Sequence, residues 1–320
     1  MNTPAPNAGV EGFSRILLCV DGSPASEQAV AFVRRMAQGG TTVRIASIVE
    51  NPRNLVPLAP LSGFDLGAIH AEILEDAEAA LARAQEAFAG LPATVEPHLI
   101  DLVKQGGDVV HAIAAAAHEW RADVLVLGAR QHRGLLRWVE GTVSEPVTRL
   151  APCPTIVVPG TATGNSNTPP KRILFAIDGS ETSSNALRTG ARLVSEGACV
   201  RIVYVVDRAV RYSDIVPITL LEDAFVEEGR ATLAQAKEMF AQLPGLETVP
   251  LEAALVDTET SNDDIAHAIV REAQRWNADL LALGTHGRRG PARWLLGSVA
   301  SRVARIATTP LMLVHKDEQE

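Results

Sequence analysis

The sequence predicts an α/β protein made of two copies of one doubly wound domain, each with a five-stranded parallel sheet of order 3-2-1-4-5 flanked by helices. The first observation is a repeat: RILLCVDGS at 15–23 returns as RILFAIDGS at 172–180, and WRADVLVLG at 120–128 returns as WNADLLALG at 276–284. The second is that short apolar runs alternate with amphipathic helical patterns, which is typical of parallel βαβ units. The third is that the runs are apolar on both faces, as expected for strands covered by helices on each side.

The second copy shows the alternation in order along the chain. Strands are predicted at 173–177, 200–206, 248–256, 280–283 and 311–314, with helices over 183–195, 221–243 and 264–276. In the first copy, the helix predicted over 70–88 is acidic, and its charges indicate a solvated face. In a sheet of this order the chain reverses direction between strands one and four, so the crevice at their carboxyl ends is the expected ligand site.

The two copies account for nearly all of the 320 residues. We expect domains at 13–158 and 171–315, joined by a linker at 159–170 that is rich in turn-forming and small polar residues. An exposed apolar edge strand promotes aggregation, so the fifth strands, 155–158 and 311–314, are expected to pair and form an intramolecular pseudo-dimer. Whether two chains then form a homodimer stays open.

Composition excludes several classes of function. Lys and Arg number 29 against 38 Asp and Glu, a net charge of −9, which disfavours nucleic acid as a partner. The chain has no apolar run of the ~20 residues that a transmembrane helix needs, and its first residues lack the features of a signal peptide. We therefore expect no membrane partner and a cytoplasmic location. Cys19, Cys153 and Cys199 show no metal-binding spacing.

Residues suited to a phosphorylated ligand follow two strands of the second copy. Strand one ends in Asp178-Gly-Ser, and strand four runs into GTHG at 284–287. The two glycines of 284–287 permit a positive φ or a close approach of backbone to ligand. After nine intervening residues, Gly297-Ser298 opens the last helix, where free N–H groups and the helix dipole favour an anion.

Charged side chains complete this pattern. Arg288, with Arg289 and Arg293, could meet phosphate charge. Across the crevice, the Asp178 carboxylate could accept hydrogen bonds from a ribose hydroxyl or an adenine amine, or help to hold Mg²⁺. His286, inside the glycine segment, has two open interpretations: contact with phosphate, or exposure to solvent.

The spacing G-x-x-G, nine residues, G-[ST], with an aspartate after strand one, resembles the universal stress protein family, here in a tandem form. The resemblance implies an adenine-nucleotide-binding domain, with ATP as the ligand and no established catalytic activity. In the second copy it assigns adenine, ribose and phosphate contacts to Asp178, Val205, Gly284, Gly287, Gly297, Ser298 and Val299. In the first copy the corresponding, weaker set is Asp21, Ile48, Gly128, Gly141 and Thr142.

The first copy departs from the pattern at three positions. Gln131 replaces the second glycine, where a side chain would crowd a phosphate. Glu140 precedes the third glycine and would repel a triphosphate if it pointed inward. Pro146 stands where the second copy has Arg302, so the helix is predicted to begin late, near Ser144.

These observations favour an ATP-binding stress-response or signalling protein in which nucleotide occupancy tunes conformation or partner binding. No general base or nucleophile in the sequence points at the phosphates, which argues against an enzyme. The alternatives are a slow ATP hydrolase on the same fold and an interaction module without nucleotide. His111 and His267 follow Asp108 and Asp264 by three residues, and we expect them to be structural partners of these helix caps rather than ligands.

The asymmetry between the copies predicts one tightly bound ATP per chain, held by the second copy. Each difference in the first copy opposes phosphate binding, and a misplaced carboxylate near the phosphates is expected to weaken binding there by ~1–3 kcal/mol, or about ten- to a hundredfold. Asp178→Ala should nearly abolish tight binding in a calorimetric titration of ligand-free protein, and Asp21→Ala should leave it almost intact. Two equivalent tight sites, or loss of binding in the Asp21 variant alone, would contradict this prediction.

Overall fold

The computed structural model of the chain describes residues 12–55, 65–129, 143–161, 168–207, 218–259, 263–287 and 296–315. The chain divides into two compact units, the first spanning Phe13–Thr163 and the second starting at Gly164. Each unit contains five parallel strands with helices packed on them. No helix within these described ranges is long and apolar enough to cross a membrane.

The first unit has its strands in the order β3-β2-β1-β4-β5. The strands are β1 Arg15–Cys19, β2 Thr42–Val49, β3 Thr94–Asp101, β4 Val124–Ala129 and β5 Thr155–Pro159. The helices are α1 Pro24–Met36, α2 Pro52–Leu55, α3 Leu66–Ala87, α4 Leu102–Gln105, α5 Val109–Glu119 and α6 Ser144–Leu150. Helix α1 contacts β4, β5 and α3, whereas α5 and α6 pack with β1 and β4 in one apolar cluster.

The second unit repeats this arrangement with the order β10-β9-β6-β7-β8. Its strands are β6 Arg172–Ile177, β7 Cys199–Val206, β8 Leu251–Asp257, β9 Leu280–Gly284 and β10 Leu311–Val314. Its helices are α7 Glu181–Ala191, α8 Ile218–Ala241, α9 Ile265–Arg275 and α10 Ser298–Ile306. Counted within each unit, both sheets follow the order 3-2-1-4-5, so the predicted fold class is confirmed.

Several element boundaries differ by a few residues from the sequence-based expectation, and two of the differences have a clear physical cause. The strand expected from residue 248 begins at Leu251, because Pro250 has no backbone N–H to donate, although its carbonyl still accepts from the Val200 N–H at 2.9 Å. The acidic helix expected from residue 70 begins at Leu66, because the Asp65 side chain caps it by accepting two backbone N–H bonds. The apolar pattern marks the buried face of a helix better than it marks the helix start.

Glycines at the ends of β4 and β9 let a helix approach the sheet closely. A Cβ placed on Gly128 would lie 2.3 Å from the carbonyl carbon of Ala25 in α1. A Cβ on Gly284 would lie 2.7 Å from the same atom of Thr182 in α7. Neither glycine has a positive φ. Of the two conformational freedoms of glycine, both positions use the close approach, and the backbone approached is the protein's own.

A buried carboxylate ends strand β3 in the first unit. Asp101 is 6% exposed, and its Oδ1 accepts from the Val103 N–H at 3.0 Å and lies 3.2 Å from His70 Nε2. Lys104 Nζ lies 3.0 Å from Oδ2. Burial alone would raise the pKa of Asp101, but the hydrogen bonds from Lys104, His70 and the Val103 N–H outweigh it and hold the pKa below its ordinary value.

The glycine contact can be tested by adding one methyl group. Gly128→Ala is expected to lower the free energy of unfolding of the first domain by about 1–3 kcal/mol, because the new Cβ meets backbone that cannot move aside cheaply. Gly39→Ala is the matched control, since a Cβ there meets nothing within 4 Å. Urea unfolding followed by circular dichroism measures both variants. Equal midpoints for the two variants would show that the contact is not tight.

The low pKa of Asp101 makes stability depend on pH with a definite sign. Its contribution is complete above the ordinary pKa of 3.8 and is lost as pH falls through the lowered, folded-state pKa. Asp101→Asn should unfold at lower urea concentration than the unmodified protein at pH 7. The variant should also lose less stability between about pH 5 and pH 2. A variant with the same acid sensitivity as the parent would contradict the assignment.

Candidate functional site

The second unit contains a cavity of about 420 Å³ where β6 and β9 end. This is the switch point at which the sequence predicted a ligand site. Most of the predicted second-copy residues line this one cavity, namely Asp178, Val205, Gly284, Gly287, Gly297, Ser298 and Val299. Arg288 lies outside the described residues, as do Arg289 and Arg293. The fold thus brings together the seven residues that line the cavity, whereas every contact with a ligand stays a prediction.

Asp178 occupies a fixed position between the two strand ends. Its Oδ1 accepts a hydrogen bond from the Ser180 N–H at 2.9 Å, in the turn that leads into α7. Its Oδ2 lies so near the second glycine of the 284–287 segment that a Cβ on Gly287 would be 2.7 Å away. Gly287 does not have a positive φ. A side chain at this position would displace the Asp178 carboxylate before it met any ligand.

Helix α10 opens into the cavity with an uncapped N-terminus. Its N-cap residue is Gly297, which has no side chain to accept a first-turn N–H. The Gly297 N–H itself donates to the Thr285 carbonyl at 2.8 Å, which ties the helix start to the end of β9. Ser298, Val299 and Ala300 form the first turn, and all three line the cavity. Exposed first-turn N–H groups and the positive end of the helix dipole together favour an anion at this point.

Other helices of the chain close this kind of end with a side chain. The N-cap residues Ser23, Asp65, Asp108, Ser180 and Asp264 each accept at least one backbone N–H at the starts of α1, α3, α5, α7 and α9. The same sequence therefore supplies caps where a helix start serves only the fold. The start of α10 differs from these five in having no side-chain cap, a property that it shares with α6.

His286 is tied into the wall of the cavity. Its carbonyl accepts from Ser180 Oγ at 3.3 Å and from Thr182 Oγ1. Its ring Nδ1 lies 3.0 Å from Oγ1 of the fully buried Thr285, which also lies 3.3 Å from His315 Nδ1. The other ring nitrogen, Nε2, is buried and has no hydrogen-bond partner among the described residues. The half-buried His286 ring does not fit full exposure to solvent, and contact with a phosphate stays a prediction.

Apolar side chains line much of the rest of the cavity. They come from β7, α8 and α9 and include Val205, Val206, Phe225, Ile265 and Ile269. Of these side chains only Val205 was predicted, because helical periodicity does not show which part of a buried face borders a cavity. An apolar wall of this kind, with a few polar groups at one end, is typical of sites for flat organic ligands.

The first unit reproduces the acidic turn of the second. Asp21 Oδ1 accepts from the Ser23 N–H at 3.0 Å, as Asp178 does from Ser180. Ile48 packs against the core cluster of the unit, and Gly128 is required by its contact with α1. Four other positions of the comparison lie outside the described residues: Gln131, Glu140, Gly141 and Thr142.

The helix start of the first unit differs from that of the second. Helix α6 begins at Ser144, as predicted, and Pro146 is its third residue. Its N-cap residue, Val143, has helical dihedral angles and makes no side-chain cap. The first turn of α6 also carries Glu145, whereas the first turn of α10 has no acidic residue. The two helix starts thus differ in the number of first-turn N–H groups, since Pro146 has none, and in charge, since only α6 carries a glutamate there.

The repeated histidines serve the helix caps, as predicted. His111 Nδ1 lies 2.7 Å from Asp108 Oδ2, and His267 Nδ1 lies 2.9 Å from Asp264 Oδ1. Arg302 Nε lies 2.9 Å from Asp264 Oδ2, so this arginine joins the α9 cap and does not line the cavity. In the described part of the chain, no group of three or more His, Cys, Asp or Glu side chains is arranged to hold a metal ion.

Comparison with known proteins identifies the family. The model of the universal stress protein family matches residues 12–159 and 169–315. A universal stress protein of Mycolicibacterium smegmatis is 29% identical over 316 residues, which cover 94% of this chain and 96% of that protein. One from Methanocaldococcus jannaschii is 33% identical over 157 residues, which cover 47% of this chain and 85% of that protein.

A solved structure shows the same fold at full length. The crystal structure of a universal stress protein from Archaeoglobus fulgidus DSM 4304 matches with a TM-score of 0.67 at 18% identity, and the match covers 98% of this chain and 99% of that one. Both halves of the present chain match the family model separately. The chain therefore belongs to the universal stress protein family and carries two of the family's domains in tandem.

Proposed function

We propose that this universal stress protein binds an adenine nucleotide, ATP, in its second domain, and that occupancy of the site tunes the protein's conformation or its choice of partner. The observation that carries the proposal is the uncapped N-terminus of α10, which opens into the cavity beside the Asp178 carboxylate. A nucleotide combines an anionic end with a hydrogen-bond-donating ribose and a flat base. The cavity offers a complement to each of these three parts.

The helix start supports binding of the phosphate groups. Backbone N–H groups of Ser298, Val299 and Ala300 have no side-chain cap and border the cavity. His286 Nε2, buried and without a partner among the described residues, borders the same space and could donate to a phosphate oxygen when it carries the proton. Within the described lining, the anion is therefore met by dipoles and N–H groups instead of by a lysine or arginine.

The opposite wall supports binding of the nucleoside. An ionised carboxylate only accepts hydrogen bonds, so Asp178 selects for donors such as the ribose hydroxyls or an exocyclic amine. The apolar side chains from β7, α8 and α9 can cover the faces of a base. Among them, the aromatic ring of Phe225 is the best suited to stack on a base. A volume of about 420 Å³ falls within the range typical of sites for small organic ligands.

We propose that the first domain does not bind ATP tightly and that the second domain does. Pro146 lacks the N–H that the third residue of a helix would otherwise offer to an anion. Glu145 places a negative charge in the first turn of α6, where it suits the helix dipole and repels a phosphate. These two features act on the same end of the same helix. Retention of Asp21 and Gly128 does not oppose this conclusion, since both have a structural role in the turn and the packing.

The role of the α10 start can be tested by giving it the charge that α6 carries. Val299→Glu should weaken ATP binding by at least about tenfold, equivalent to 1.4 kcal/mol, because the new carboxylate lies in the first turn beside the phosphates. Val299→Gln has nearly the same size and no charge, and it should bind much more tightly than the Glu variant. Nucleotide released on denaturing the purified protein, followed by titration of the stripped protein, supplies the measurement.

Two results would contradict the proposal. Equal affinities of the Glu and Gln variants would place the phosphates away from α10. Absence of binding at millimolar ATP in the unmodified, folded protein would favour an interaction module that works without nucleotide. Turnover of ATP, measured on the same samples, separates a binding protein from a slow hydrolase.

A further inference from the structure

A second cavity lies in the first domain, between α1 and α3, with a volume of about 260 Å³. Its floor is apolar, formed by Val30, Ala31, Ala80, Ala84 and Ala87 together with the end of β1. Charged side chains stand at its margin: Arg34 from the last turn of α1, Arg83 from α3, and Glu27 from the first turn of α1. Two positive groups therefore border the cavity against one negative group.

The two arginines are placed in ways that the fold does not explain. Arg34 Nε is buried and has no hydrogen-bond partner among the described residues. Buried polar groups in proteins are nearly always paired, so an unpaired donor calls for an explanation such as an absent ligand. Arg83 extends over the β1–α1 turn, where its Nη2 would lie 2.8 Å from a Cβ on Gly22. The Gly22 position thus accommodates this guanidinium at the edge of the cavity.

The second domain serves as an internal control for what the fold itself requires. The α3 segment ALARAQEAFAGLP at 80–92 corresponds to TLAQAKEMFAQLP at 232–244, and α1 corresponds to α7 through the repeated strand and turn. In this correspondence Ala191 and Gln235 replace Arg34 and Arg83. The small side chains Val30, Ala31, Ala80 and Ala87 correspond to Leu187, Arg188, Thr232 and Met239. At these four positions the first domain has the smaller side chain. It has two guanidinium groups around the space, Arg34 and Arg83, whereas the corresponding positions of the second domain have one, Arg188.

We propose that this cavity binds a small organic carboxylate: an anionic head held by Arg34 and Arg83, on a compact apolar body that lies on the alanine floor. A guanidinium offers planar, paired donors that match a carboxylate better than any other side chain. The volume is slightly below the range typical of drug-sized ligands, which favours a body no larger than one ring or a short chain. The site is separate from the nucleotide site and does not depend on that proposal.

The full chain can be tested with 4-fluorobenzoate, whose fluorine signal broadens and shifts on binding. The uncharged 4-fluorobenzamide has the same body and serves as the ligand control. Arg34→Ala and Arg83→Gln install the residues of the second domain, and each should weaken benzoate binding about tenfold, as expected for loss of a charged hydrogen bond. Ala87→Met, also the second-domain residue, should block the floor and abolish binding of benzoate.

Two further measurements sharpen the test. Glu27→Gln removes the opposing charge and should tighten binding of benzoate. Inorganic phosphate, an anion without an apolar body, should fail to displace the benzoate at equal concentration. Circular dichroism confirms that each variant is folded.

Absence of benzoate binding at about 10 mM would overturn the proposal, because a ligand with a Kd near 1 mM would be mostly bound at that concentration. Equal binding of the benzamide, unchanged binding in both arginine variants, or displacement by phosphate would overturn it as well. Saturation with ATP should leave the fluorine signal unchanged. Competition by ATP would show that the benzoate occupies the nucleotide site instead, and would equally overturn the assignment.

Discussion

The arrangement of the second domain depends on one steric contact, that of Gly284 with the start of α7. With no Cβ at this position, the end of β9 approaches the backbone of Thr182 and Ser183 to a distance that no other residue allows. The Ser180 and Thr182 hydroxyls then donate to the carbonyl of His286 from the same side. The turn after β6 and the segment after β9 are consequently held together as one rigid edge. The cavity is the space that this edge borders.

The same edge explains why Asp178 stands where it does. Its carboxylate is fixed at one oxygen by the Ser180 N–H, and its other oxygen fills the space left by the missing side chain of Gly287. A preformed acceptor costs less conformational entropy on binding than one that must be ordered by the ligand. From the other side, the Thr285 N–H donates to the Val314 carbonyl, so β10 supports the segment as well. The site is therefore built on the ends of strands and helices that are packed into the core.

This contact also changes what the glycine pattern means. The resemblance assigned Gly128 and Gly284 to a ligand, but each is required because a helix backbone lies against it. A glycine that the packing demands is retained whether or not the domain binds a nucleotide. Its presence in the first domain therefore says nothing about binding there. The informative difference is at the helix starts, where Glu145 and Pro146 of α6 stand against the uncapped first turn of α10.

Much of the fold was predictable from sequence because apolar runs and turns are local signals. The strand order followed from the alternation of elements and the rules for parallel crossovers, and it holds in both domains. Residues anchored by a turn or a helix start, such as Asp178 and Ser298, line the cavity, and their contacts with a ligand stay predictions. The pairing of Arg302 with Asp264 was missed, since it joins two helices that are far apart in the sequence. The wall formed by Phe225, Ile265 and Ile269 was missed for the same reason.

The cavity between α1 and α3 could not be predicted from the sequence of either helix, but it differs between the two domains of the folded chain. Neither helix reveals it alone: Arg34 is an ordinary basic residue in a last helical turn, and alanines are ordinary helix formers. Only the meeting of the two helices in the fold turns small side chains into a space and leaves a guanidinium nitrogen buried beside it. The second domain, with the same sheet, turn and helix pair, has larger side chains at the positions of Val30, Ala31, Ala80 and Ala87. The shared fold therefore requires neither Arg34 and Arg83 nor the space between the two helices. These features distinguish the first domain from the second and are available for binding a ligand.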